Sequence, residues 1–166
     1  MSHKVSVTNF TISIRPAQAS DLEAINRVIE AAIMTWNLPA RVKRLSLPSY
    51  HYNVFDLDHY AIHVAEQDGQ IVGVVAWDRH ALVVEGEQKG LLLHGLYVHP
   101  EQQQCGIGSR LFRVAEHAVR EYRLAGLLVK AQKDAEAFYL ARGMHKLVIA
   151  DSARGFAGRY WKPLAQ

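Results

Sequence analysis

The chain has 166 residues, 49% of them apolar and 21% charged, the balance of one globular domain with a sizeable core rather than of a disordered or low-complexity chain. Its 19 Lys and Arg against 16 Asp and Glu give a net charge of +3 and a pI near 9.1; with no run of five like charges, this argues for a mildly basic surface and against a nucleic-acid-binding tail. One cysteine excludes an intrachain disulfide. No cleavable apolar leader is evident, and no apolar stretch reaches the ~18 residues of a membrane span, so a reducing cytoplasm is the simplest expected location.

Residues 1–9 are polar and predict a loose start. Phe10 to Ile14 alternates apolar and polar side chains, the period of a half-buried strand. Ser20 and Glu23 have capping-box spacing. Leu22, Ile25, Val28, Ile29, Ala32 and Ile33 then share one helical face, predicting a helix that ends near Trp36 to Pro39. Residues 40–59, rich in Arg, Lys, Pro, His and Tyr, predict a short second helix and a loop. His59 to Glu66 and Gln70 to Arg79 read as strands joined by the turn Gln67-Asp68-Gly69. Glu85 to Gly90 reads as a polar turn into a strand over Leu91 to Val98. A helix follows from Gly106 to Tyr122, with Ile107, Leu111, Val114, Ala118 and Tyr122 on one side, then a short strand over Leu127 to Lys130. A helix over Asp134 to Arg142 stops at Gly143, and strands over Lys146 to Ala150 and Phe156 to Trp161 close the chain. Strands and helices mixed in this order predict a single layered α/β domain over residues 1–166.

The chemistry concentrates between the Leu91–Val98 strand and the next helix, where the chain reads His99-Pro100-Glu101-Gln102-Gln103-Gln104-Cys105-Gly106-Ile107-Gly108-Ser109. Backbone N–H groups at a helix start lack intrahelical partners, and the helix dipole adds roughly half a positive charge there. Glycines at 106 and 108 let a bulky phosphate approach the backbone. This layout predicts a phosphate-bearing cofactor. The nucleotide pattern G-x-x-x-x-G-K-[ST] is absent, and the dinucleotide pattern G-x-G-x-x-G fails at Leu111, where its third glycine would stand.

What remains, Gln103-x-x-Gly106-x-Gly108, resembles the Q/R-x-x-G-x-G/A signature of the GCN5-related N-acetyltransferase (GNAT) superfamily, whose loop holds the pyrophosphate of acetyl-coenzyme A. Three more stretches resemble that family in order and spacing. They are Ile14-Arg15-Pro16-Ala17-Gln18-Ala19-Ser20-Asp21-Leu22, Asp68-Gly69-Gln70-Ile71-Val72-Gly73, and Ala135-Glu136-Ala137-Phe138-Tyr139-Leu140-Ala141-Arg142-Gly143-Met144, with Met144 where the family has Phe. The resemblance covers about residues 12–162. It implies a central twisted sheet, mixed but mostly antiparallel, of roughly six or seven strands flanked by about four helices. It also implies acetyl-coenzyme A (acetyl-CoA) as cofactor and an amine of a small molecule or peptide as acceptor.

By that resemblance the edge formed by Leu96, Tyr97 and Val98 pairs with the pantetheine arm, and a backbone N–H there polarises the thioester carbonyl. Gln104, Cys105, Gly106, Ile107, Gly108 and Ser109 wrap the pyrophosphate. Gln103 stands where many relatives have Arg, so it hydrogen-bonds without adding charge. Tyr139 is the implied proton donor to the leaving thiolate, since a phenol of pKa about 10 is protonated at neutral pH; the alternative is that it only packs. Gln132, seven residues before Tyr139, stands where many relatives carry Asn and is expected to touch the cofactor. Transfer to an amine needs a neutral amine, a polarised carbonyl and a proton for the thiolate. Gly90 to His99 contains no Asp or Glu, which makes His94 the candidate base of that strand. A His94 that merely hydrogen-bonds in the sheet, His59, His63 or Asp56 by position, and a chain of waters are the alternatives.

Nine histidines invite a metal reading, but no cluster has zinc spacing and His59 and His63 fall four apart on a strand, so no metal is expected. Cys105 reads either as a small loop residue or, at a helix N-terminus, as a thiol able to form a mixed disulfide with coenzyme A. Trp36 and Tyr50 are candidates for acceptor contact. Arg41, Lys43 and Arg44 read either as favouring an acceptor that bears carboxylate or phosphate or as solvated charges on a loop. Phe156, Tyr160 and Trp161 supply either a homodimer contact or core. The competing functions are a non-catalytic acyl-CoA-binding module and, against the dispersed charge, a nucleic-acid partner; no membrane partner is expected.

Overall fold

Alternating apolar side chains commit most of the chain to a sheet covered on both faces. The computed structural model describes residues 11–80, 82–103, 105–148 and 158–165, with backbone alone over 82–85. Among these residues the strands are β1 (Ile12–Pro16), β2 (Tyr60–Gln67), β3 (Gln70–Asp78), β4 (Leu82–Glu85), β5 (Gln88–Val98), β6 (Gly126–Lys130), β7 (His145–Lys146) and β8 (Arg159–Pro163). The α-helices are α1 (Leu22–Met34), α2 (Ala40–Tyr50), α3 (Val54–His59), α4 (Ile107–Glu121) and α5 (Glu136–Ala141). The sheet runs β1-β2-β3-β5-β6-β8-β7, with β4 also on β5. Every pairing is antiparallel except β5 with β6. That parallel pair needs a crossover, which α4 supplies.

One face of the sheet is covered by α1, whose Ile25, Ile29 and Ile33 pack on Ile62, Val64, Val74 and Ala76. The other is covered by α4, whose Ile107, Leu111, Phe112, Ala115 and Val119 pack on Val75, Leu91, Leu93, Leu127 and Val129. Each of the larger side chains among these contributes about 1.5–3 kcal/mol on burial, so the two stripes hold α1 and α4 on the sheet, where Ala32 of α1 and Ser109 of α4 border the site.

The mixed, mostly antiparallel α/β sheet is the expected one, with one strand and one helix more. β4 is the added strand: the polar turn expected over Glu85 to Gly90 is tighter, and β5 already starts at Gln88. Residues 40–59 form two helices rather than one and a loop. α2 buries no residue, and Val42 and Leu45 stay exposed, so no apolar stripe marked its length. α1 is not capped by Ser20 and Glu23. Instead Asp21 accepts Gln18 N–H at 2.8 Å and Arg15 Nη1 at 2.7 Å, and Arg15 also meets Glu66 at 2.8 Å. These bonds close the capping box of the short 3-10 turn ahead of α1, with Gln18 at its N-cap, and tie that turn to β1 and β2. β1 is shifted to Ile12–Pro16; Phe10 lies outside the described residues, as do Phe156 and residues 149–157 of the closing strands. Tyr122, expected on the buried side of its helix, is 45% exposed. Tyr160 and Trp161 are buried in the chain's own core, which removes them as a dimer contact. No helix of the described residues is long and apolar enough to cross a membrane.

Candidate active site

β5 and β6 pair only from Gly90 with Gly126 to Leu93 with Val129. Beyond that, β5 follows β3 as far as Val98 with Gly73, while β6 follows β8 to Lys130 with Arg159. The strands therefore splay at Leu93. His94 sits at that point: Trp77 pairs with Leu93 and Ala76 with Gly95, leaving His94 as the extra residue of a β-bulge. Bulges re-aim a side chain and end regular pairing, and this one turns the imidazole into the opening.

Two adjoining cavities occupy the splay. The first, about 490 Å³, is lined by Leu96, Tyr97 and Val98, by Gln103, Gly106, Gly108 and Ser109, and by Phe138, Tyr139 and Arg142. The second, about 260 Å³, is lined by His94, Gly95, Tyr50, Lys130 and Gln132. Trp36, Leu96, Tyr97, Ala135 and Tyr139 belong to both. A long ligand can thus enter along the first and meet a small one in the second. A third cavity, about 380 Å³, lies under the far half of α4.

At the mouth of the first cavity Gly106 caps α4 with φ +80°, and nothing stands within 4 Å of where its Cβ would be. Only glycine takes that backbone readily, and the open space beside the free amides of α4 suits a phosphate group. At Gly108 a Cβ would come 2.8 Å from the Phe138 ring, so its absence lets α5 close against the start of α4. Gln103 donates weakly to Val98 O at 3.4 Å. Cys105 is exposed, its Sγ 3.8 Å from Gln103 O. Ile107 is 1% exposed, so its side chain belongs to the core and only its backbone is available to the loop. Gln104 lies outside the described residues.

Tyr139 is 4% exposed and borders both cavities. Its ring stacks on Tyr160 with centroids 6.3 Å apart and meets Phe138 edge-on at 5.1 Å. Burial pushes its phenol well above the usual range, which keeps it protonated. His94 stacks on Tyr60 at 4.2 Å, and its Nδ1 lies 2.8 Å from Tyr52 Oη. It keeps contact with the cleft yet is closely ringed by protein, and that desolvation lowers its pKa. The Tyr52 phenol is itself pushed far up by burial, which keeps it protonated; in the tautomer with the His94 proton on Nε2, it donates to Nδ1. If Nδ1–H instead donates to Tyr52 Oη, Nε2 presents a lone pair. Sequence reasoning missed Tyr52, 42 residues away in the chain.

Gln132 faces the second cavity and donates to Tyr50 Oη at 3.4 Å. The other candidate bases are elsewhere. Asp56 caps α3, accepting Asn53 N–H at 2.7 Å. His59 is exposed at the end of α3. His63 stacks on Trp77 at 4.9 Å and lines the third cavity. Lys43 is tied to the carbonyls of Met34 and Trp36 at 2.8 and 3.1 Å, and neither Arg41 nor Arg44 lines either cavity of the splay; the basic triplet is thus a helix-end clamp and solvated surface, not a substrate-facing patch. Arg142 was also missed. Its Nη2 donates to Ser109 Oγ and its Nη1 to Phe138 O at 2.9 Å.

This fold is shared with acetyltransferases of known structure. The fold is similar to that of the PaiA N-acetyltransferase from Thermoplasma acidophilum in complex with coenzyme A, with a TM-score of 0.74 and 16% identity over 93% of this chain and 99% of that one. It is also similar to a GNAT family acetyltransferase from Brucella melitensis in complex with acetyl-CoA, with a TM-score of 0.64 and 20% identity over 94% and 90%. A curated relative from Archaeoglobus fulgidus, described as an uncharacterized N-acetyltransferase, is 29% identical over 138 residues, 81% of this chain and 94% of its own length. The acetyltransferase (GNAT) domain model matches residues 42–157. The chain belongs to the GNAT acetyltransferase family, whose general activity is acetyl transfer.

Proposed function

We propose that this protein is an acetyl-CoA-dependent N-acetyltransferase that passes the acetyl group directly to a primary amine of a small molecule or peptide. The observation that carries this reading is the splay of β5 from β6, with the Gly106–Gly108 loop at one end and Tyr139 between two joined cavities. Bound acetyl-CoA supplies the activated acetyl thioester. The unpaired edge of Leu96 to Val98 holds the pantetheine arm as an added strand would, and Gln103 to Ser109 cradle the phosphates. Tyr139 Oη holds a proton available to the departing sulfur. His94 orients the amine through Nε2–H, or takes its proton at Nε2 when Nδ1–H turns to Tyr52.

The second cavity is the acceptor side. Among the described residues its lining includes Trp36, Tyr50, Tyr97 and Lys130 and no Asp or Glu. A polycationic acceptor gains no ion pair there, whereas an amine with an apolar body is accommodated.

The test is release of free thiol from acetyl-CoA against a panel of aromatic and aliphatic amines, amino acids, polyamines and basic peptides. Amine-dependent release supports transfer and names the acceptor class. Tight coenzyme A binding with no release for any amine refutes it and makes the protein a non-catalytic acyl-CoA-binding module.

A further inference from the structure

From Pro100 to Ser109 the loop carries no Lys or Arg, and its first cation, Arg110, is exposed. The first cavity nevertheless holds a guanidinium. Arg142, just past α5, lines it beside Gly106, Gly108 and Ser109. The group is fixed on three sides: Nη2 donates to Ser109 Oγ, Nη1 donates to Phe138 O, and Cζ lies 3.7 Å from the centre of the Phe138 ring.

Its charge is not compensated. Among the described residues Arg142 has no ion-pair partner. The one acid on the same cavity, Asp134, accepts Asn37 N–H at 3.3 Å. Burial lowers the Arg142 pKa, and its Nε is buried without a partner. Of the five guanidinium N–H donors, two are engaged. Holding a cation partly out of water with no counter-ion is unfavourable, and a planar fork matches the oxygens of a phosphate.

We propose that Arg142, braced by Ser109 and Phe138, binds a phosphate of coenzyme A and supplies the charge that Gln103 does not. The assignment rests on the cofactor reading above. It also explains why the bracing is shared between α4 and α5: a phosphate held by both the loop amides and Arg142 would tie the two helices together.

The experiment is equilibrium binding of coenzyme A, 3′-dephospho-coenzyme A and pantetheine, the last by competition, to wild type and Arg142→Gln, with thermal melting as the check on folding. The expected result is a loss of roughly ten- to a hundredfold in coenzyme A affinity, with pantetheine unaffected and a shallower salt dependence. If the wild-type preference for coenzyme A over its dephospho form disappears, the partner is the 3′-phosphate; if both weaken alike, it is the pyrophosphate. Unchanged coenzyme A affinity, or an equal loss for pantetheine, overturns the assignment. Should Arg142→Gln not fold, Arg142→Lys replaces it, with a severalfold loss for coenzyme A and none for pantetheine expected. Wild type that binds none of the three refutes the cofactor reading, and this assignment with it.

Discussion

Removing one oxygen from Tyr139 should separate chemistry from stability. In Tyr139→Phe the ring keeps its stack on Tyr160 and its edge contact with Phe138. Among the described residues no side-chain hydrogen bond engages the lost hydroxyl, so folding should change by less than about 1 kcal/mol. Loss of a positioned general acid slows the step it serves by about 10²–10⁴-fold, or about 3–5.5 kcal/mol of barrier. Burial holds the phenol protonated well above its ordinary pKa, so this deficit should be constant from about pH 6 to 9. The assay is thiol release under saturating acetyl-CoA and amine, with coenzyme A affinity and melting temperature measured beside it. A kcat within about threefold of wild type would falsify the acid role. A melting temperature that collapses with the activity would mean that Tyr139 is a packing residue.

His94→Gln should slow transfer by about 10²-fold and abolish the acidic limb of kcat/KM. In wild type that limb lies below about pH 6.5, because burial lowers the His94 pKa; superimposable profiles would remove His94 from the proton path. Gly108→Ala pushes a Cβ to 2.8 Å from the Phe138 ring, and should cost about 1–3 kcal/mol of stability while weakening coenzyme A binding. Unaltered binding would show that the α4–α5 closure is not part of the site. His63 and His94 are both held below their ordinary pKa by burial, so the unfolded chain binds more protons as pH falls through about 6.5. Their neutral forms therefore stabilise the fold above that pH, and this contribution is lost below it. Denaturant melts at pH 8 and 5.5 should differ, and His63→Phe should remove the His63 share; identical curves at both pH values would sink the argument.

The parts of this molecule that announce themselves in sequence are those whose physics is local. The apolar stripe from Ile25 to Ile33, the Asp68-Gly69 turn and the two glycines ahead of α4 each reflect constraints met within a few residues. So do the cavity positions of Leu96 to Val98, Ser109 and Tyr139, which follow from the strand and helices that carry them. What escaped was set by contacts across the fold. Tyr52 meets His94 from another element, and the bulge that turns His94 outward exists only because β5 must satisfy β3. Arg142 sits one helical step beyond Tyr139 in a run whose other residues suggest only a helix end. The turn that leads into α1 is held by Asp21 rather than by Ser20, because the Gln18 amide and Arg15, on β1, both meet its carboxylate. The short helix expected within residues 40–59 carried no bounds, because a helix that buries nothing leaves no period to detect, and α3 was not anticipated.

The seam between β5 and β6 has a consequence for turnover as well as for binding. Four residue pairs of parallel ladder join the strands before the splay to β6, β8 and β7, and parallel pairing is slightly weaker per residue than antiparallel. The carboxy-terminal strands are thus joined to the rest of the sheet by one short seam, and native-state hydrogen exchange should resolve them as a separate opening unit. Any extended molecule that lies along His94 to Val98 lengthens the seam. It also raises the stability of the folded chain by RT ln(1 + [L]/Kd). The lifetime of this protein in a cell that degrades opened chains would then follow the concentration of what fills its cleft.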